Sequence, residues 1–469
     1  MAVKFVKREP IKGPLGRTEL YAIGVGQVIG AGIMTYTVTC LKMTGYSAWI
    51  AYVAAVLFGY LLVYPNVMAS RVLRITGGFY PVVASTMGSI GAGIFSYISV
   101  LSITGVSMFI RSTTEYIGDL APFLGTPNAK VMIGVLLIFF FFLVNWLGMN
   151  IFAAVQKLMT WLLIGALVLF VAFGIPRIHL PIFNFKDPGF LINGIFHFSD
   201  GKLTGGLFLA VFSFLGSTYG YGNVAAYGGQ AKDAKNDIPK VMLYSMLTIL
   251  VLYAGVAIVA AGCMSIEEYG ESTTLVLVAR SVFPKPLAIL FFIGGPIMAM
   301  LTTINATVNF AAISMARSIE DGWFPKSWAR KSRYGTYTVP LIIISVIALI
   351  PIVMGLNIAQ LLAFLTPLIS SPVILYLIGY LLLPRRYPEI FNDKQRINKA
   401  GYIISCVIAL ILQLSVFMRG VLASGLIVIC VCLGMLLVFA LLGIWRAKAG
   451  VVTFLESIWD VEEPAQFMK

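Results

Sequence analysis

The chain has 469 residues, of which 59% are hydrophobic and only 11% are charged, and its formal net charge is +14. Soluble domains are about a quarter charged, so this composition, with a mean hydropathy of +0.93, excludes a soluble protein and predicts an all-α polytopic membrane protein. The basic residues are scattered over short connections, which argues against a nucleic-acid partner.

The apolar runs predict twelve transmembrane helices, since a span needs roughly 20 apolar residues. An even number of spans places both termini on one side, and 23 of the 33 Lys and Arg residues fall on that side. Basic residues concentrate in cytoplasmic loops, so we expect a multi-pass protein of the cell membrane with both termini cytoplasmic. The predicted spans lie near residues 20–41, 46–72, 90–117, 131–148, 152–175, 205–227, 241–264, 285–316, 338–354, 358–383, 400–418 and 421–445, and the last two are separated only by a turn at Met418, Arg419 and Gly420.

The first predicted span is interrupted by four glycines, at positions 24, 26, 30 and 32. Lipid cannot satisfy open backbone groups, so irregular backbone at this depth is tolerated only where it lines a cavity or binds something. Gly30 and Gly32 have no side chain to keep a ligand away from the amides. The alternative is that these glycines only permit close helix packing.

The sixth predicted span is interrupted in the same way between Phe212 and Gly222, with glycines at positions 216, 220 and 222. Interrupted spans at corresponding positions of two halves predict an inverted-repeat transporter whose site lies at the repeat interface. This second interruption favours the binding interpretation of the first. The chain is therefore divided into a cytoplasmic segment (1–19), a first five-helix repeat (20–175), a second repeat (205–383), two additional helices (400–445) and a cytoplasmic tail (446–469).

At these interruptions the sequence resembles the amino acid–polyamine–organocation (APC) superfamily of permeases. Residues 26–33 fit the family pattern G-x-x-I-G-x-G-I, and residues 212–216 fit F-x-F-x-G. Further matches follow in the family's order, namely Gly-Gly-Phe-Tyr at 77–80, Asn145, Gly148 and Gln156, Asp-Ile-Pro at 237–239, and Glu-Asp-Gly-Trp-Phe-Pro at 320–325.

The resemblance implies a LeuT-like fold of five plus five inverted helices and amino acid transport by alternating access. The amides near Ala31, Gly32 and Ile33 would hold the substrate carboxylate, because helix N-termini favour anions. The carbonyls of Val28, Phe212 and Leu215 would hold the ammonium, and the ring of Phe212 would cover the substrate as a gate. The complete set of expected substrate-binding residues is Val28, Ile29, Gly30, Ala31, Gly32, Ile33, Phe212, Ser213, Phe214, Leu215 and Gly216.

The fifth span departs from the family. Many members carry a lysine there that replaces a sodium ion, and the corresponding position is Leu163, while Lys157 lies six residues earlier. An intramembrane lysine is a candidate functional residue, but one this close to a helix end can also extend to the interface. Leu163 cannot load a proton, which favours exchange without an obligatory ion.

The eighth span contains a polar cluster formed by Thr302, Thr303, Asn305 and Thr307. Oxygen ligands suit a hard cation, so this cluster offers a possible Na⁺ site centred on Thr307 and a Na⁺-coupled symporter as the alternative. The opposing interpretation is that the hydroxyls bond back to carbonyls of their own helix.

The acidic residues of the predicted spans constrain the charge of the substrate. Within the predicted spans the only one is Glu115, which we expect to pair with Arg111 one turn earlier. A second positive charge on a substrate would find no carboxylate partner, so we expect neutral L-amino acids, with a polyamine or other organic-cation exchanger as the alternative. No span combines a His with an acidic residue or a metal-binding set, so we expect no enzyme activity, cofactor or metal centre, and only substrate and lipid as partners.

Overall fold

The computed structural model describes residues 4–199, 202–270 and 275–467, and most of them are helical. The helices are α1 (Arg17–Val28), α2 (Ala31–Thr44), α3 (Ala48–Ser70), α4 (Tyr80–Ser102), α5 (Gly105–Leu120), α6 (Pro127–Trp146), α7 (Met149–Gly174), α8 (Gly206–Leu215), α9 (Ala234–Cys263), α10 (Ile266–Tyr269), α11 (Val276–Val282), α12 (Lys285–Phe292), α13 (Met298–Asp321), α14 (Thr338–Val353), α15 (Ile358–Arg386), α16 (Pro388–Asn392), α17 (Lys399–Ala423) and α18 (Leu426–Lys448).

Within these ranges, nine helical segments are long and apolar enough to cross a membrane, some of them formed by two consecutive helices. The chain is therefore a multi-pass membrane protein. The first and sixth predicted spans are interrupted in the structure. Helix α1 ends after 12 residues and α8 ends after 10. The ninth, α14, is apolar but has only 16 residues. The count of twelve spans and the five-plus-five repeat stay predictions.

One predicted boundary is extended and another was wrong. Helix α4 of the third span begins at Tyr80, but Gly88 (φ 71°) interrupts its helical backbone, so the helix resumes close to the predicted start near residue 90. The predicted turn at Met418, Arg419 and Gly420 does not exist, because α17 continues to Ala423 and the chain turns at the next two residues.

The broken helices lie at the centre of the helical bundle. Helix α1 packs against α7, α9 and α13, while α3 packs against α8, α9 and α17. Outside this centre, α4 packs against α15 and α18. Large exposed apolar side chains occur on the outer helices, for example Leu136 on α6, Ile404 on α17 and Leu437 on α18. Such faces suit contact with lipid.

The structure also contains short β-strands, which the all-α prediction did not include. They are β1 (Phe5–Val6), β2 (Ile11–Lys12), β3 (Leu73–Ile75), β4 (His197–Ser199), β5 (Lys202–Gly205), β6 (Phe454–Leu455), β7 (Ile458–Asp460) and β8 (Gln466–Phe467). Strand β6 pairs with β1, β8 with β2, and β7 with β3. These six strands, called the terminal layer below, join both ends of the chain. Arg396 lies 2.6 Å from Asp460 in this layer, and its guanidinium lowers the pKa of that carboxyl.

A buried polar network anchors the terminal layer to the bundle. The guanidinium of Arg317 lies 2.6 Å from a carboxylate oxygen of Asp321, and both side chains are at most 5% exposed. Tyr80 donates a hydrogen bond to Asp321 at 2.7 Å and accepts one from Trp323 at 2.7 Å. Arg317 also donates to the carbonyl of Leu455 at 2.6 Å. The acidic motif at residues 320–325 therefore has a structural role in this fold.

Candidate functional site

The first break separates α1 from α2 by two residues. Ile29 is extended (φ −75°, ψ 94°), and Gly30 has φ −138° and ψ −141°. No side chain caps the N-terminus of α2. The first N–H groups of a helix have no partner within it, so the amides of Ala31, Gly32 and Ile33 lie where the sequence predicts an anion-binding turn.

The glycines of the first break pack tightly against neighbouring elements. A Cβ atom added to Gly30 would lie 2.8 Å from the Thr303 hydroxyl, and one added to Gly32 would lie 2.4 Å from Cβ of Ser217. One added to Gly26 would lie 2.4 Å from the Gln156 amide nitrogen. Gly30 and Gly32 also line the central cavity. The packing interpretation therefore holds, and it is compatible with a binding role.

The second break follows α8. Helix α8 ends at Leu215, and a 3₁₀ helix runs from Gly220 to Ala226. Gly216, between them, has right-handed helical backbone angles, and a Cβ atom added there would meet nothing within 4 Å. It is exposed to the cavity. This glycine is therefore an open part of the cavity wall rather than a packing contact.

A cavity of about 640 Å³ connects the two breaks. This volume lies within the usual range for small-molecule sites, about 300–1,000 Å³. Of the predicted substrate-binding residues, the cavity lining includes Val28, Gly30, Gly32, Phe212, Ser213 and Gly216, and of the predicted coupling residues it includes Thr303 and Thr307. Ile29, Ile33, Phe214 and Leu215 are at most 1% exposed and do not belong to that lining. Among the described lining residues there is no Asp or Glu, and Arg419 is the single charged side chain.

Two phenylalanines of α8 have different surroundings. Phe212 is half-buried, lines the cavity, and packs on Phe208 with ring centroids 4.6 Å apart. Phe214 is 1% exposed, and its ring centroid lies 4.4 Å from that of Tyr52. Phe212 thus forms part of the cavity wall, and Phe214 belongs to the packed core.

The three carbonyls predicted to hold an ammonium group all accept hydrogen bonds from the protein. The Tyr253 hydroxyl donates to Val28 at 3.1 Å, and Arg419 Nη1 donates to Phe212 at 3.3 Å. The Thr218 hydroxyl donates to Leu215 at 2.9 Å. A carbonyl oxygen has two lone pairs, so those of Val28 and Phe212 can each accept one more bond. The Leu215 carbonyl also accepts from the backbone N–H of Thr218 at 3.2 Å, so both of its lone pairs are occupied.

Sequence reasoning missed both Tyr253 and Arg419. The tyrosine hydroxyl in the apolar seventh span was the available signal for the first. Arg419 was counted with an outer turn, because a basic residue beside a glycine between two apolar runs is typical of a connection.

The fifth span, α7, contacts α1 through a hydrogen bond between neutral groups and through an ion pair. Lys157 Nζ lies 2.7 Å from Glu19 Oε1, and both side chains are partly exposed. The Thr160 hydroxyl, which the sequence did not single out, donates to the carbonyl of Ala22 at 3.0 Å. Leu163 is fully buried. Lys157 is therefore paired with Glu19 and is absent from the cavity lining.

In the polar cluster of the eighth span, three of the four side chains are hydrogen-bonded. The single O–H of Thr302 lies 2.9 Å from the carbonyls of both Met298 and Ala299 in its own helix. The single O–H of Thr303 lies within hydrogen-bonding distance of two carbonyls, that of Ala299 at 2.9 Å in its own helix and that of Gly26 on α1 at 3.0 Å. Asn305 donates to Gln156 at 2.8 Å and accepts from Asn145 at 3.1 Å. Thr307 lines the cavity. The two buried threonines thus follow the back-bonding interpretation.

The predicted local ion pair in α5 is confirmed. Arg111 Nη2 lies 3.0 Å from Glu115 Oε1, and Lys130 contacts the other carboxylate oxygen. Neither Arg111 nor Glu115 lines the central cavity.

Comparison with known proteins identifies relatives of this chain. A family model described as amino acid permease matches residues 15–435. The chain is 24% identical over 339 residues to the branched-chain amino acid permease BcaP of Bacillus subtilis, covering 68% of this chain and 70% of the relative. It is 22% identical over 320 residues to an uncharacterised protein of Methanocaldococcus jannaschii, covering 67% and 70%.

Among solved structures, the chain is similar to MHP1, a nucleobase-cation-symport-1 family transporter in a closed conformation with bromovinylhydantoin bound. The TM-score is 0.56 at 15% identity, and the likeness covers 94% of this chain and 95% of MHP1. At this identity the likeness establishes a transporter fold.

Proposed function

The chain belongs to the amino acid permease family of the APC superfamily, and we propose that it is a secondary transporter that moves neutral L-amino acids by alternating access. The observation that carries this proposal is the cavity that joins the two breaks and has no carboxylate among its described lining residues. A broken pair of helices offers N–H groups to a carboxylate and carbonyls to an ammonium.

In this proposal the substrate headgroup lies between the breaks. Its carboxylate accepts hydrogen bonds from the first-turn amides of α2 at Ala31, Gly32 and Ile33. Its ammonium donates to the remaining lone pair of the carbonyl of Val28, which lines the cavity. Phe212, which lines the cavity on the α8 side, covers the substrate. Recognition through backbone groups fits a headgroup that all amino acids share.

The cavity lining supports a neutral side chain. A substrate with a second positive charge would be desolvated without a compensating carboxylate, which is costly. The similar protein of Bacillus subtilis is named as a branched-chain amino acid permease, and a neutral apolar side chain is consistent with that likeness. The rival is a polyamine or other organic-cation exchanger.

A competition assay in proteoliposomes tests this choice. Neutral L-amino acids should reduce uptake of a labelled neutral amino acid more strongly than arginine, lysine or putrescine do. Preference for a dication such as putrescine would overturn the neutral assignment and support the organic-cation exchanger instead.

For coupling, we propose exchange without an obligatory ion. Leu163 presents only methyl groups at the position where relatives carry a lysine, and it is fully buried. The hydroxyls of Thr302 and Thr303 donate to carbonyls, which leaves their oxygen lone pairs available to a cation, so the proposal of ion-independent exchange rests on Leu163. Proteoliposomes preloaded with substrate should therefore show strong trans-stimulation, and uptake should not change when K⁺ or choline replaces Na⁺. A collapse of uptake without Na⁺, reproduced by Thr307→Ala, would establish Na⁺-coupled symport.

The topology is part of the same proposal. Twelve spans arranged as two inverted repeats plus two helices place both termini in the cytoplasm of the cell. The excess of Lys and Arg on that side supports this orientation. A fluorescent protein fused to Lys469 should fluoresce in cells. An alkaline phosphatase that is active only after export from the cytoplasm should be inactive when it is fused at the same position. The opposite pair of results would invert the orientation.

A further inference from the structure

Arg419 is placed in the wall of the central cavity. It lies on α17, four residues before the helix ends at Ala423. Its Nη1 donates a hydrogen bond to the carbonyl of Phe212 at 3.3 Å, directly beside the second break. Tyr36, Ser213 and Gly216 line the same cavity. An arginine of the last transmembrane pair is thus brought to the same cavity as the two broken helices.

The charge of Arg419 has no carboxylate partner in the described part of the chain. The nine ion pairs found there do not include it. An arginine close to the end of a span can extend to the membrane interface. Here the guanidinium donates to a carbonyl of the broken helix instead. A single neutral carbonyl does not cancel a full positive charge, so the field of Arg419 extends into the cavity.

That field acts differently on different substrates. A neutral amino acid is a zwitterion, so attraction of its carboxylate and repulsion of its ammonium by Arg419 oppose each other. A cationic amino acid or a diamine carries an additional positive charge with no such compensation. Charge–charge interaction is far stronger in a cavity walled by protein than in water, and no acidic side chain of the described lining offsets it.

We propose that Arg419 is the specificity-determining residue that excludes cationic substrates from the transport site. The proposal rests on the proposed function, since it concerns selectivity within the same cavity. Ionisable side chains inside membrane proteins are expensive to maintain and are commonly functional. The guanidinium makes the cavity electropositive, which disfavours lysine, arginine and putrescine and favours an anionic over a cationic side chain of similar size.

Substitution of Arg419 tests the proposal, because removal of its charge should raise the relative affinity for lysine and lower that for glutamate. Arg419→Gln keeps a donor for the Phe212 carbonyl but removes the charge, and Arg419→Lys keeps the charge. The measured quantity is the affinity for lysine divided by the affinity for the neutral amino acid, obtained by competition against a labelled neutral amino acid. This ratio should be about tenfold higher in Arg419→Gln than in the native protein. Relative affinity for glutamate should fall in the same variant. The lysine variant should keep the native ratios.

Unchanged ratios for lysine and glutamate in an Arg419→Gln protein that still takes up the neutral amino acid would overturn the proposal, leaving Arg419 as a tie between α17 and α8. Arg419→Met, of similar length, is the second uncharged variant. If both uncharged variants fail to give monodisperse protein while Arg419→Lys gives it, the charge serves folding, and the proposal is also overturned. Failure of the proposed function differs, because native protein would then show no uptake of any neutral amino acid.

Discussion

The two breaks are built from the same residue type for different physical reasons. At the first break, Gly30 and Gly32 lie so close to Thr303 and Ser217 that even a methyl group would collide with them. At the second break, Gly216 faces open cavity. The first break is therefore fixed by its neighbours and holds its amides in place, whereas the second leaves space for a ligand. Glycine content alone does not distinguish these roles.

The largest expected effect comes from filling the open break. In Gly216→Val, the new side chain enters the cavity without a steric conflict, so substrate binding should be lost while the protein stays folded. Gly165→Val is the matched control, because Gly165 lies on an exposed face of α7 with nothing within 4 Å of an added Cβ and does not line the cavity. Isothermal titration with the preferred amino acid, together with size-exclusion profiles, checks both. Native affinity in the Gly216→Val protein would remove the second break from the site.

The two phenylalanines of α8 separate packing from function at the second break. Phe214→Ala should destabilise the protein by about 3–5 kcal/mol, the usual range for a buried Phe. Phe212→Ala should have an unfolding temperature closer to that of the native protein than Phe214→Ala has. Its uptake should fall about tenfold or more, and a tenfold loss corresponds to about 1.4 kcal/mol. Thermal unfolding and proteoliposome uptake measured on both variants give the comparison. Equal uptake per folded molecule in the two variants would contradict the assignment of Phe212 as the cover.

A smaller effect is expected from overfilling the closed break. Gly32→Ala places a methyl group into Ser217, and overpacking of this kind costs about 1–3 kcal/mol. Because the conflict is with Cβ and the hydroxyl of Ser217, the double variant Gly32→Ala/Ser217→Gly should recover most of the lost thermal stability. If the double variant is no more stable than Gly32→Ala, the close contact between the two breaks is not the cause.

The smallest effect is expected at the Lys157–Glu19 ion pair between α7 and α1, outside both breaks. The Lys157–Glu19 pair is partly exposed, and exposed ion pairs contribute about 0–1 kcal/mol. Lys157→Met should therefore change the unfolding temperature slightly and leave uptake of the neutral substrate within about twofold of the native rate. Loss of uptake in a stable Lys157→Met protein would return Lys157 to the list of coupling residues.

The sequence predicts the breaks well, since a glycine-rich interruption of an apolar run has a direct physical meaning at membrane depth. It predicts Arg419 wrongly, because hydropathy cannot distinguish an arginine that faces an internal cavity from one in a connection. The strands of the terminal layer have two or three residues each, too few for a periodic pattern. The bond from Tyr253 to Val28 depends on tertiary packing between distant segments and has no local signature.

A structure determined with a bound neutral L-amino acid tests the central claim most directly. The protein should be saturated with the amino acid that competes best in uptake, and density should be sought in the cavity between the two breaks. The account predicts the substrate carboxylate within hydrogen-bonding distance of the backbone N–H groups of Ala31, Gly32 or Ile33, and Phe212 over the ligand. A ligand bound elsewhere, or bound in this cavity with its carboxylate away from α2, would contradict the account.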